Sequence, residues 1–132
     1  MKLESQMCSL ELAKRLKKLG VNQQGVYIWR YEDKLFQALF LMRDISFKEK
    51  DCVAFTVAEL GELLPSILYP KTASRSDKVL FMGKDEGIYH IGYRNIDNNM
   101  VSPVFSCLKE ADVRAHMLIH LLENKLINLT EE

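Results

Sequence analysis

The stretch EADVRAHMLIHLLENKLINL, residues 110–129, carries the longest regular apolar pattern in the chain. At the helical interval of about 100° per residue, its apolar and polar side chains fall on opposite faces. The apolar face consists of Ala111, Ala115, Leu118, Ile119, Leu121 and Leu122, and the polar face of Asp112, His116, His120, Glu123 and Asn124. We therefore predict an amphipathic helix that begins at Glu110 and lies on a core with one face in water. The apolar tail that follows, residues 126–129, is expected to dock back on the body.

Two earlier helices are predicted from their capping residues. Ser9 is a good N-cap for a helix that Gly20 is placed to end. Thr56 and Glu59 have the spacing of a capping box, in which each side chain bonds a backbone N–H group that the first turn leaves unpaired. The helix that this box begins is short because Pro65 cannot continue it.

Two hairpins are predicted to separate the helices. Alternating side chains favour a strand at residues 26–31, and an apolar run favours a second strand at 35–42. We place this second strand in the centre of the sheet because both of its sides are apolar. Residues 79–83 and 88–94 flank a turn that contains Gly87, which predicts the second hairpin.

The predicted order of elements is α-β-β-α-β-β-(β)-α, where the bracketed strand is a short segment at residues 104–107. We predict an α+β fold, in which three helices pack on an antiparallel sheet of four to five strands within a single domain, residues 1–132. The loop at residues 66–77 is expected to be the most mobile part. The two α-β-β units begin alike, with SLELA and TVAEL, which either an ancient duplication or chance explains.

The composition bears on the class of protein. Its 18 basic and 18 acidic side chains cancel, so no net charge attracts nucleic acid or an anionic membrane. No segment reaches the run of about 20 apolar residues that a membrane span needs, and the first residues have no apolar core of signal-peptide length. Cys8, Cys52 and Cys107 show no C-x-x-C spacing. We expect a protein of the reducing cytoplasm, without a cofactor.

His116 and His120 are the one pair of residues with the spacing of metal ligands. Two histidines four residues apart on a helix can reach a single cation, and Asp112 and Glu123 border them. Met117, however, stands where the H-E-x-x-H pattern of zinc proteases has its glutamate. The pair is also expected to face water, whereas catalytic metals need a cavity that excludes it. We therefore interpret the pair as solvated histidines and predict no metal site.

A basic face marks the first predicted helix; it consists of Lys14, Arg15, Lys17 and Lys18. Such a face can meet phosphate groups. The aromatic row Tyr27, Trp29 and Tyr31 on the next strand would add rings on which bases stack, provided that the row is exposed beside the basic face. The alternative is a solvated helix face with the rings buried beneath a helix.

Enzyme motifs are absent from the sequence. No G-x-x-x-x-G-K-[ST], G-x-G-x-x-G or G-x-S-x-G segment occurs. Cys52 has an acidic and a basic neighbour, Asp51 and Lys50, but no histidine near it in the sequence to activate the thiol. We predict no catalytic residue.

The segments SLELAKRLKKLGV, AFTVAELGELLP and EADVRAHMLIHLLENKLI resemble parts of small uncharacterised proteins encoded by bacteriophages, prophages and related mobile elements. The resemblance covers the three predicted helices in order. It implies a context and no functional residue, because that group has no assigned activity. We accordingly expect a small non-enzymatic protein of this type that binds a protein partner or itself. The alternative is a nucleic-acid-binding module that uses the basic face of the first helix.

Overall fold

The computed structural model describes residues 3–30, 34–37, 49–68, 77–97 and 101–127. Within these ranges, three α-helices and two antiparallel sheets confirm the predicted α+β class. A 3-10 helix, Leu3–Gln6, comes first, and the elements that follow are α1 (Leu10–Lys18), β1 (Tyr27–Arg30), β2 (Lys34–Gln37), β3 (Cys52–Val53), α2 (Val57–Leu63), β4 (Ile67–Leu68), β5 (Lys78–Asp85), β6 (Ile88–Asn95), β7 (Val101–Cys107) and α3 (Glu110–Glu123).

The strands form two sheets where the sequence predicted one. Their orders are β2-β1-β3 and β4-β5-β6-β7, and every described pairing is antiparallel. β2 and β3 occupy the two edges of β1, and no described strand of the second hairpin pairs with either of them. The strand predicted to be central, β2, therefore lies at an edge of its sheet. Residues 38–42 of that prediction lie outside the described ranges.

The second hairpin confirms its prediction. The strands β5 and β6 pair over their full length, from Lys78 with Asn95 to Asp85 with Ile88. Glu86 and Gly87 make the turn, with φ angles of 52° and 81°. Positive φ at both central residues is the signature of the two-residue turns that match the twist of a hairpin. The predicted fifth strand is present as β7 and is longer than expected.

The loop predicted at residues 66–77 contains a strand instead of being wholly irregular. Ile67 and Leu68 form β4, which pairs with Val79 and Lys78 at the start of β5. The remainder of that loop, residues 69–76, lies outside the described ranges.

Burial on nearly all sides distinguishes α3 from the amphipathic helix that the sequence predicted. Seven of its 14 residues are buried, including Val113 and Met117 outside the predicted apolar face. Glu123 is its one exposed residue. The helix contacts α1, α2, β6 and β7, so that neighbours cover several of its sides. In the tail, Leu126 is 47% exposed, whereas Ile127 packs against the core as predicted.

The two predicted capping residues begin their helices in different ways. Thr56 Oγ1 accepts the N–H of Glu59 at 3.1 Å, and Glu59 Oε1 accepts the N–H of Thr56 at 2.9 Å, which confirms the capping box. Ser9 occupies the N-cap position of α1 but makes no capping bond through its side chain. Its backbone N–H instead donates to Asp112 Oδ1 at 2.7 Å, which ties the start of α1 to α3.

One hydrophobic core joins the two sheets among the described residues. Leu16 of α1, Trp29 of β1, Leu60 of α2, Tyr93 of β6 and Leu118 of α3 all belong to it. The similar segments SLELA and TVAEL begin α1 and α2, and the hairpins that follow them belong to different sheets. In the described part of the chain, no helix has the length and apolar character needed to cross a membrane.

Candidate functional site

The four-stranded sheet has one side that packs against α3 and an opposite side on which no described core residue lies. Tyr89, Ile91 and Tyr93 of β6 point to the core, where α3 contacts β6 and β7. Alternate residues along the strands point to the opposite side, which we call the outer face. By the pairing register, the outer face consists of Ile67, Val79, Phe81, Gly83, Asp85, Ile88, His90, Gly92, Arg94, Val104 and Ser106.

Four apolar side chains form a patch on the outer face around Gly92; they are Ile67, Val79, Phe81 and Val104. Phe81 and Val104 flank Gly92 on either side, and Ile67 pairs with Val79 one step along the strands. Val104 is 50% exposed and Ile67 is 36% exposed. Among the described residues, none of the four belongs to the hydrophobic core or packs against it. The sheet therefore presents apolar side chains outward, in addition to those that it buries.

The outer face is uneven, because side chains of very different size lie next to one another on it. A Cβ atom added at Gly83 would meet no atom within 4 Å, so the space above this glycine is open. Phe81 stands two residues away on the same strand and has the largest apolar side chain of the face. Charges mark the two ends of the face, with the exposed Asp85 near the hairpin turn and the exposed Arg94 at the far end of β6.

A cavity of about 900 Å³ lies between α1 and the three-stranded sheet. Its volume is within the range of about 300–1,000 Å³ that is typical of small-molecule sites. Leu10 and Trp29 supply apolar lining, and the exposed Lys14, Lys18 and Lys50 supply positive charge.

A buried ion pair also lines this cavity. Arg30 and Asp51 are each 3% exposed. Arg30 Nε donates to Asp51 Oδ1 at 3.0 Å and to Oδ2 at 3.1 Å, and a terminal guanidinium nitrogen contacts Oδ2 as well. Lys17 Nζ donates to the backbone oxygen of Asp51 at 2.6 Å and to that of Glu49. Sequence reasoning missed this pair, because it considered Asp51 only as a neighbour of Cys52 and 21 residues separate the partners.

The predicted basic face is divided between two environments. Lys14, Lys17 and Lys18 line the cavity. Arg15 does not; its guanidinium contacts Glu123 of α3 at 3.0 Å, and both side chains are about half exposed.

The aromatic row is not available as a platform for bases. Trp29 is only 8% exposed, and its Nε1–H donates to the backbone oxygen of Cys8 at 3.1 Å. Tyr27 is half-buried against the core, and Tyr31 lies outside the described residues. Rings and lysines therefore do not form the exposed continuous surface that the nucleic-acid interpretation requires.

The histidine pair of α3 was predicted to face solvent, but Phe105 of β7 lies against both rings, and both histidines are partly buried. The rings of His116 and Phe105 are stacked with their centroids 5.9 Å apart, and the ring of His120 is tilted at 5.6 Å. Of the residues considered as further ligands, Asp112 bonds Ser9 and Glu123 pairs with Arg15. Within the described ranges, no three His, Cys, Asp or Glu residues form a group that could hold a metal ion.

The three cysteines are free thiols. Burial raises the pKa of Cys8 to about 12. Burial also raises the pKa of Cys52, against the opposing effect of the nearby Lys17 and Lys14 ammonium groups, and it raises the pKa of Cys107. Since the thiolate is the reactive form, these thiols are poor nucleophiles at neutral pH.

Comparison of the chain with protein-family models, with curated proteins and with solved structures gives no match. The geometry thus defines the protein by class alone: an α+β protein with a partly apolar sheet face that points away from the core and a separate basic cavity.

Proposed function

We propose that this chain is a small, non-enzymatic, cytoplasmic interaction protein of phage or mobile-element type, and that its partner is a second copy of itself bound through the outer face. The observation that carries the proposal is the apolar patch around Gly92, which points away from the core. Ile67 and Val104 of this patch are exposed and Val79 and Phe81 are partly buried. Apolar surface that lies outside the core is typical of protein–protein interfaces. The raised thiol pKa values argue against a cysteine nucleophile, and the free thiols fit a reducing compartment.

The shape of the outer face is complementary to the outer face of a second copy. Consider a two-fold axis that lies between two outer faces, at right angles to the strands and level with Met82. Rotation about this axis places each strand over the same strand of the second copy, running in the opposite direction. Phe81 of each copy then covers Gly83 of the other. The contact is isologous, as in most homodimers.

The charges of the outer face fit the same arrangement. The reversal of the strands brings Arg94 of each copy toward the end of the face that carries Asp85 in the other copy. It also brings Val79 and Ile67 toward the end that carries Ile88. Opposite charges that face each other across an interface set its register.

The size of the face predicts a weak dimer. Strands β5, β6 and β7 have seven or eight residues and β4 has two, so at about 3.3 Å per residue and about 4.8 Å between strands the sheet covers about 400 Å² per copy. The total of about 800 Å² is below the usual size of specific interfaces and is typical of weak, transient contacts. We therefore expect a dissociation constant in the micromolar range.

Sedimentation velocity over a concentration range of about 1 to about 500 µM tests this proposal. The wild-type chain should shift from monomer to dimer, and Val104→Glu, which places a charge in the apolar patch, should remain monomeric. Leu126→Glu is the matched control, because Leu126 is 47% exposed but lies in the tail after α3. Far-UV circular dichroism checks that both variants fold. A wild-type chain that is monomeric throughout, or equal dimerisation of both variants, would overturn the proposal.

Charge exchange tests the two-fold geometry itself. The single variants Asp85→Arg and Arg94→Asp should each weaken the dimer, since each places like charges together. The double variant should restore it, because the exchanged charges again face opposite ones. If the double variant does not recover the dimer, the two-fold arrangement is refuted. The outer face would then be expected to bind a different protein instead of a second copy.

A further inference from the structure

We propose that the cavity between α1 and the three-stranded sheet binds an organic anion, a molecule that joins a carboxylate or phosphate group to an apolar body. This site is separate from the outer face and does not depend on the function proposed for that face. It is formed by side chains of α1, β1 and the segment that leads into β3.

The charge of the cavity favours an anion. Its described lining has five basic side chains against two carboxylates, Glu49 and Asp51. Asp51 is neutralised by Arg30, and Lys17 is held by backbone oxygens, so these residues shape the wall. Lys14, Lys18 and Lys50 are exposed at the rim and supply the ammonium groups that meet a ligand. Burial raises the pKa of the Cys52 thiol, and the ammonium groups of Lys17 and Lys14 act to lower it. The positive charge of these lysines is therefore felt at the inner wall of the cavity.

The interior of the cavity favours an apolar body. The indole N–H of Trp29 is already donated to the backbone oxygen of Cys8, so the small edge of the ring that lines the cavity (Trp29 is 8% exposed) offers a ligand carbon atoms. Leu10 continues this apolar lining. Sites of this kind combine mostly apolar walls with a few placed polar groups that fix the orientation of the ligand. The charged end of the ligand is thereby assigned to the lysine rim and its apolar end to Trp29.

Ligand binding in the cavity can be followed by tryptophan fluorescence, because the chain contains a single Trp and this residue lines the cavity. Titration with octanoate or octyl phosphate should change the fluorescence of Trp29 in a saturable way, and the tighter of the two identifies the preferred anionic group. Octylammonium, with the same apolar body and the opposite charge, should bind at least about tenfold more weakly. Inorganic phosphate alone should bind weakly as well, because it lacks the apolar body.

A pair of double variants locates the site. Replacing Lys14 and Lys18 by glutamine should weaken octanoate binding by about tenfold and reduce its dependence on salt. Replacing Arg15 and Lys84 by glutamine removes the same number of positive charges away from the cavity and should leave binding unchanged.

Four results would overturn the proposal. They are the absence of saturable binding, equal binding of octanoate and octylammonium, equal binding of inorganic phosphate and octyl phosphate, and equal effects of the two double variants. Quenching of Trp29 by single-stranded DNA at low salt, without any response to octanoate, would also overturn it and favour the nucleic-acid interpretation.

Discussion

Replacing Asp51 by alanine is expected to destabilise the protein by several kcal/mol. Asp51 and Arg30 are each 3% exposed, and the carboxylate accepts the Nε–H of Arg30 at 3.0 and 3.1 Å. The alanine variant leaves the buried guanidinium without this carboxylate. Removing one partner of a buried ion pair lowers the free energy of unfolding by about 3–5 kcal/mol, because the remaining charge is buried without water and without its counter-charge.

The surface pair of Arg15 and Glu123 provides the matched control. Its distance of 3.0 Å is comparable, but the two side chains are 48% and 47% exposed. Solvent screens such a pair, so Glu123→Ala should cost less than about 1 kcal/mol. The contrast between the two variants therefore measures the effect of burial on the same kind of interaction.

Urea unfolding, followed by both far-UV circular dichroism and Trp29 fluorescence, measures the free energy of unfolding. Trp29 is next to Arg30 in β1, so coincident transitions from the two signals exclude a merely local change. A loss from Asp51→Ala that is no larger than the loss from Glu123→Ala would refute the reasoning. The double variant Arg30→Met with Asp51→Leu should recover most of the stability, since apolar replacement of both partners removes the charge that is costly to bury.

Three further predictions concern single groups in the core and at the helix caps. Thr56→Ala removes the side-chain half of the capping box and should lower the free energy of unfolding by about 1 kcal/mol in urea titration. Tyr93→Phe removes the bond from the Tyr93 hydroxyl to the backbone oxygen of Pro65, 2.7 Å long, and should cost about 1 kcal/mol in the same assay. The pKa of Cys8 is raised from 9.0 to about 12, so the unfolded state loses this proton first as the pH rises. Stability that is fully present below pH 9 should therefore fall by about 1.4 kcal/mol per pH unit between pH 9 and about 12.

Each of these predictions has its own control. The loss from Thr56→Ala should be restored by Thr56→Ser, which keeps the capping hydroxyl, and equal loss in both variants would contradict the capping argument. Cys8→Ala should show a shallower fall of stability with pH than the wild-type chain; parallel curves would show that Cys8 does not titrate in this way. An unchanged unfolding midpoint in Tyr93→Phe would show that its hydroxyl bond is replaced by water at no cost.

Features that depend on neighbouring residues were predictable from the sequence. The capping box joins Thr56 to Glu59 within one helical turn, and both of its bonds form. The turn at Gly87 needs a positive φ that its residue type provides, and the strands beside it pair as predicted. In these cases the interaction energy is decided within a few residues, so a local pattern is sufficient evidence.

Features that depend on distant partners were not predictable in this way. The polar pattern of α3 indicated histidines in water, but Phe105 of β7 stacks on His116 and covers part of that face. Ser9 occupies the N-cap position, yet its backbone bonds Asp112, which is 103 residues away. Both contacts follow from how β7 and α1 pack around α3, and no periodicity within a single element reports that packing.

The ion pair of Arg30 and Asp51 links the stability of the protein to its candidate cavity. A buried ion pair adds little net stability compared with apolar replacements, although breaking it from one side is costly. Its contribution here is geometric. Asp51 precedes β3, and its backbone oxygen also accepts a hydrogen bond from Lys17 of α1, so that one residue connects the helix and the sheet on either side of the cavity. The double variant Arg30→Met with Asp51→Leu should therefore recover stability and still bind octanoate more weakly than the wild-type chain. This separation of stability from binding is expected only if the pair positions the cavity wall.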